Sequence, residues 1–197
     1  MLFRSDRQWA GNNLCNLGLL LQQRGLLDQA REAMDEALIH ARELGHVRLE
    51  CITSTNLALL AVARRDDAAA AALFDQALRL ARELGDRRTE GQVLGYLGAL
   101  HAREGRADEA WHLYDSGEAL LDEAADPLSL ALLLCDRVES ERRAGLAGTA
   151  ARTLSRAAAM GRAIGIDAAS ELGQRLDGLA SVSPSPAGAD PALNRPG

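Results

Sequence analysis

Lysine is missing altogether: the 22 basic residues of this 197-residue chain are all arginine. That excludes Schiff-base, P-loop and cofactor-linking chemistry, each of which needs an ε-amine. Aromatic residues make up only 3% of the chain, and isoleucine and valine are scarce. A β-sandwich or barrel needs more of both. The cysteines are three, Cys15, Cys51 and Cys135, with no C-x-x-C spacing. Neither a zinc knuckle nor a disulfide framework follows from them, and a reducing cytosol is the simplest setting. Uninterrupted apolar runs are short, Leu130 to Cys135 being among the longest, and the opening MLFRSDRQWAGNN has no apolar stretch of signal-peptide length. These absences read as a soluble, cytoplasmic protein with no membrane segment.

What is present is helical. The chain holds 37 alanines and 35 leucines, both strong helix formers. A hydrophobic content of 47% with net charge −6 describes a globular chain rather than a disordered one. The first hundred residues carry a net charge of −1 and the remainder −5. Neither half offers the basic stripe that phosphate neutralisation requires, so no direct nucleic-acid partner is expected. Arginine without lysine, beside abundant alanine, matches the codon usage of a GC-rich bacterial genome.

The sequence repeats itself. ALIHARELGH at 37–46 returns as ALRLARELGD at 77–86, an offset of 40. The same offset relates LGLL at 17–20, LALL at 57–60 and LGAL at 97–100, and puts Ala30, Ala70, Ala110 and Ala150 in one column. Each unit divides into two patterns of about 17 residues with apolar positions three and four apart. The expected helices lie near 8–24, 28–44, 48–64, 68–84, 88–104, 108–124, 128–143 and 148–164. Gly45, Gly85 and Gly165 fall where a helix-terminating residue takes positive φ, and Pro127 where a first helical position tolerates it.

In its Leu17-Gly18, Ala30, Met34, Ala37 columns and their recurrences, the chain resembles the tetratricopeptide repeat family in its long-helix form. The recurrences are Leu57-Ala58, Ala70, Phe74, Ala77, then Leu97-Gly98, Ala110, Tyr114, Gly117. The fourth unit keeps Ala150, Leu154 and Ala157 but has Arg137-Val138 in place of Leu-Gly. The resemblance implies an all-α, right-handed superhelical solenoid of four helical hairpins. Its repeats run about 8–46, 47–86, 87–126 and 127–166, after a lead-in at 1–7. A capping helix at 167–180, with Asp167 as its cap, closes the stack, and a disordered Pro/Ser tail occupies 181–197.

No catalytic constellation emerges. His40, His46, His101 and His112 form no ligand-spaced pair, no G-x-S-x-G exists, and Cys15 and Cys135 read as small packing residues. The carboxylates read as solvated faces beside arginine, as in Arg31 with Asp35. The protein is therefore expected to be no enzyme and to use no metal or cofactor. Gly91, Gly95 and Gly98 lie within a helix, so they form no nucleotide loop. Gly98 is the small packing position; Gly91 and Gly95 read first as tolerated drift within a helix, and second, if the stack follows the family, as positions that deepen its concave groove.

The resemblance further implies that first helices line an inner groove holding an extended peptide or a partner's helix. By column that groove carries Asn12, Asn16, Gln23 and Asn56, then Gln92, Tyr96, Arg103 and Arg142. Amide side chains both donate to and accept from a peptide backbone. Asn16 and Asn56 share a column in which relatives often contact peptide. The family's dicarboxylate clamp relies on lysine in several columns, and this chain has none. The leading expectation is a scaffold or adaptor for a protein or peptide partner. Two others stand beside it: a ligand- or peptide-sensing regulatory subunit, and an accessory or self-assembling protein using its uncapped N-terminal face around Phe3 and Trp9 as a homo-oligomer contact.

Overall fold

A computed structural model describes the backbone of residues 2–182 and the side chains from Trp9 to Val182. The expected tail beyond 182, and Phe3, lie outside the described side chains. Eight helices pair into four hairpins: α1 (Leu2–Gln23) with α2 (Leu27–Leu44), α3 (Val47–Ala63) with α4 (Asp67–Glu83), α5 (Arg87–Arg103) with α6 (Ala107–Glu123), and α7 (Pro127–Arg143) with α8 (Ala147–Ala163). A ninth among the described residues, α9 (Glu171–Ser181), packs on α7 and α8. No strand occurs among the described residues, so the all-α solenoid of hairpins is the observed fold.

The cadence comes from the turns. Positive φ occurs at Gly25, Gly45, Arg65, Gly85, Gly105, Ala125, Gly145 and Gly165, every 20 residues. At each, the next residue's N–H donates to the carbonyl five residues earlier, from Leu26 N to Leu21 O through Ile166 N to Gly161 O. This is the Schellman closure of a helix end. The same donor residue often starts the following helix. Asp66, Asp86 and Asp126 accept from the N–H groups of Ala69, Thr89 and Ser129, and His46 Nδ1 from Leu49. Four residues thus stop one helix and cap the next.

The alanine column is buried throughout, and Met34, Phe74 and Tyr114 are fully enclosed. Small residues are required there because a Cβ on Gly18 would meet Met34 at 2.5 Å and the Ala30 carbonyl at 3.1 Å. Hairpins join through α2 with α3, α4 with α5 and α6 with α7. First helices also touch, α1 with α3, α5 with α7 and α7 with α9, which puts them on the inner side of the stack.

Several expectations change. α1 begins at Leu2, within the expected lead-in. α9 begins at Glu171, because Ser170 rather than Asp167 accepts from the Gly173 N–H; Asp167 caps the preceding turn through Ala169. Gly91 does not deepen a groove, whereas Gly95 lines a recess beside Tyr96. Both are buried, Gly91 against Gly117 and Leu121 of α6 and Gly95 under Leu133 of α7. Not every carboxylate is solvated: Glu141 is 1% exposed. Arg137 answers it at 3.1 Å and also pairs with Asp115 at 2.7 Å and Glu118 at 2.6 Å. That network is how the fourth hairpin accommodates arginine in a leucine column.

Candidate functional site

The inner face holds a cleft of about 290 Å³ where α3, α5 and α7 converge. Leu59 and Val62 of α3, Phe74 of α4, and Tyr96, Ala99 and Leu100 of α5 form its apolar lining. Arg103, Asp136, Glu139, Arg143, Glu171 and Arg175 supply its charges. α3 and α5 do not close on each other as α5 and α7 do. The columns offer a reason. Gly95 leaves a notch that Leu133 fills between α5 and α7, whereas the equivalent position in α3 is Thr55.

The Tyr96 ring stacks on Phe74 with centroids 5.5 Å apart. Burial, with the negative charge of Asp136 nearby, pushes the Tyr96 hydroxyl up to about 12, so it remains a neutral donor at physiological pH. Asp136 accepts from Arg175 of α9 at 2.5 Å, and Glu139 lies 3.5 Å from the same guanidinium. Burial nevertheless holds the Asp136 carboxyl above the usual range, against the lowering influence of Arg175. Burial also pushes the Cys51 and Cys135 thiols to about 11, leaving them protonated and unreactive.

Of the sequence-derived candidates, Tyr96 and Arg103 meet at this cleft, with Gln92 in an adjoining recess where it donates to Ser129 Oγ at 2.6 Å. Arg103 donates to Asp67 at 2.7 Å, leaving its buried Nε without a partner. Asn12, Asn16 and Gln23 are exposed on α1, remote in sequence and helix from the cleft lining. Asn56 is half-buried and donates to Cys15 Sγ at 3.3 Å, so the two column-mates Asn16 and Asn56 occupy different environments. Arg142 turns toward α9 and donates to the Leu179 carbonyl at 2.8 Å.

Column reading was able to find one missed residue: 40 residues beyond Arg103 stands Arg143, not Arg142. Phe74 was legible only as core between units. Glu171 and Arg175 carried no signal, because nothing local says that α9 lies alongside α7.

Among the described residues no cluster of histidine, cysteine and carboxylate is arranged to hold a metal ion, and no helix is long and apolar enough to cross a membrane. Residues 9–83 match the family model described as tetratricopeptide repeat. No curated protein matches the chain. Among solved structures, the crystal structure of BtubC (BKLC) from P. vanneervenii superposes with a TM-score of 0.66 at 19% identity, covering 95% of this chain and 71% of that one. At that identity the likeness speaks for the fold. The family's model thus covers the first two hairpins, and the same helical hairpin continues to residue 163.

Proposed function

We propose that the chain is an interaction module whose inner face holds a segment of a protein partner, one apolar side chain of that segment resting on Tyr96, Leu59 and Val62. Repeats of this family generally mediate protein–protein interaction. The observation that carries the reading is the cleft itself: an apolar lining open at the inner face, with charged groups of both signs around it. A buried apolar anchor within a polar rim is how recognition surfaces gather their binding energy. Asn12, Asn16 and Gln23 are exposed on α1, and on this reading they extend the binding face toward the N-terminal hairpin, where amides suit backbone contacts.

The test is selection of a random-peptide display library on the full chain, followed by photo-crosslinking of selected peptides from position 62 or 79. Val62 lines the cleft and Arg79 lies exposed on α4. The reading expects crosslinks from 62 and affinity reduced at least about tenfold (about 1.4 kcal/mol) by Ala99→Arg. Peptides that crosslink only from 79 and bind the Ala99→Arg protein normally overturn it.

A further inference from the structure

We propose that a second cavity, between the ends of the third and fourth hairpins, binds a small organic carboxylate with a flat apolar body. The cavity measures about 300 Å³, and its only charged lining residues are Arg103 and Arg143. Trp111 and Ser140 complete its functional lining, among alanines and a glycine that leave room.

Three observations converge on an anion. Arg143 is exposed and, like Arg24, Arg65, Arg79 and Arg162, its side chain has no hydrogen-bond or ion-pair partner among the described residues; of these five it is the one that lines this cavity. Arg103 spends one terminal nitrogen on Asp67 and keeps a buried Nε with no partner. The two sit 40 residues apart, in the last turns of neighbouring helices α5 and α7. The unpaired Arg143 guanidinium, beside the part of Arg103 that Asp67 leaves free, faces a cavity that no carboxylate lines, and a planar fork matches a carboxylate in two-point geometry.

The rest of the lining selects the body of the ligand. Trp111 is half-buried and stacked on Tyr114, its ring centroid 6.2 Å away, so the indole is held in place rather than free to fold over the opening. Alanines 102, 107 and 144 add apolar surface. A multiply charged, fully hydrated anion gains nothing from such walls, whereas a monoanion with a ring or branched hydrocarbon does. The size is at the small end of ligand pockets, fitting a monocyclic acid.

The site also has a route to the inner face. Arg103, Ser140 and Arg143 line both this cavity and the cleft under Tyr96, so an occupied carboxylate site withdraws two cations from the cleft's rim. The carboxylate site itself does not depend on the peptide reading.

Tryptophan fluorescence reads it directly. The chain has two tryptophans, and Trp9 is 72% exposed on α1, so Trp9→Phe leaves Trp111 as the only reporter. The full chain carrying that change is titrated with benzoate and indole-3-acetate to millimolar concentrations, the latter by thermal shift because it fluoresces. Acetate, inorganic phosphate and N-acetyl-glutamate α-amide serve as comparison probes. A saturable change with benzoate, weakened at least about tenfold by Arg143→Ala and absent with acetate and phosphate, is the expected result. Arg143→Lys, which keeps charge but not the fork, is expected to recover only part of it. Equal responses to all anions, or responses unchanged in Arg143→Ala, mean general salt effects and overturn the proposal. Binding of the glutamate amide without benzoate also overturns it, assigning the arginines to an acidic side chain of a partner.

Discussion

Gly91 of α5 and Gly117 of α6 stand in each other's way reciprocally. A Cβ on Gly91 would lie 3.1 Å from the Gly117 carbonyl oxygen, and one on Gly117 would lie 2.9 Å from the Gly91 carbonyl oxygen. The backbones themselves are in contact, and Leu133 of α7 settles over the junction, 2.8 Å from the same imagined Gly117 carbon. Backbone cannot yield as a flexible side chain can, so the third hairpin is closed by the absence of two methyl groups.

Gly117→Ala is therefore expected to destabilise the protein by about 1–3 kcal/mol through overpacking, outweighing the roughly 1 kcal/mol that alanine adds to a helix. Gly178 in α9 has nothing within 4 Å of its imagined Cβ, and Gly178→Ala should stabilise by up to about 1 kcal/mol. Thermal melts followed by circular dichroism separate the two, at about 2–4 °C for each kcal/mol. A rise in Tm for Gly117→Ala contradicts the close approach.

Arg65 and Ala125 hold left-handed positions, φ 63° and 49°, that glycine fills in the other six turns. Replacing either by glycine should add about 1 kcal/mol by relieving the Cβ–carbonyl conflict, less the entropy that glycine loses on folding. Gly85→Ala should do the opposite at φ 64°. Chemical denaturation midpoints of the three variants against the parent protein check the sign.

Arg137 and Glu141 form a pair in which one member is almost wholly enclosed. Arg137→Leu restores the family's residue yet leaves Glu141 as a buried charge, so a loss of about 3–5 kcal/mol is expected. Arg137→Leu combined with Glu141→Leu should recover most of that loss, since no buried charge then lacks its partner: Asp115 is exposed and Glu118 keeps Arg156. Equilibrium unfolding of the single and double variants decides it; a harmless single change would show that Glu141 relies on other groups.

Asp126 caps α7 through the Ser129 N–H and pairs with Arg88. Burial works against its charge, but Ser129 and the Arg88 guanidinium prevail and hold its carboxyl below the usual range. A folded-state value below the unfolded one contributes stability above the ordinary carboxylate range and loses it as pH falls through the folded value. The stability advantage of the parent protein over Asp126→Asn should accordingly be full near neutrality and vanish in acid. Asp126→Ala, lacking the cap altogether, should lose about 1 kcal/mol or more at every pH. Melting curves across the acid range test both.

Much of this architecture is written locally. The 20-residue cadence follows from where a left-handed residue can stop a helix and an aspartate can begin the next, both matters of short-range sterics and hydrogen bonding. The alanine columns and the Met34, Phe74 and Tyr114 positions likewise follow from helical spacing, because residues three and four apart share a face. Contacts between helices distant in sequence were decided elsewhere. Gly91 and Gly95 share a column logic with groove positions, yet they are buried because Leu121 and Leu133 arrive from α6 and α7 to fill the gaps. Arg142 and Arg143 are neighbours in the chain, but only the docking of α9 sends the first to Leu179 and leaves the second facing a cavity. Glu141 reads as solvated surface until α6 and α7 enclose it with Arg137. Sequence periodicity sets the direction a side chain takes from its own helix axis. What waits there depends on the sizes of side chains brought from other hairpins, and that is settled only by packing.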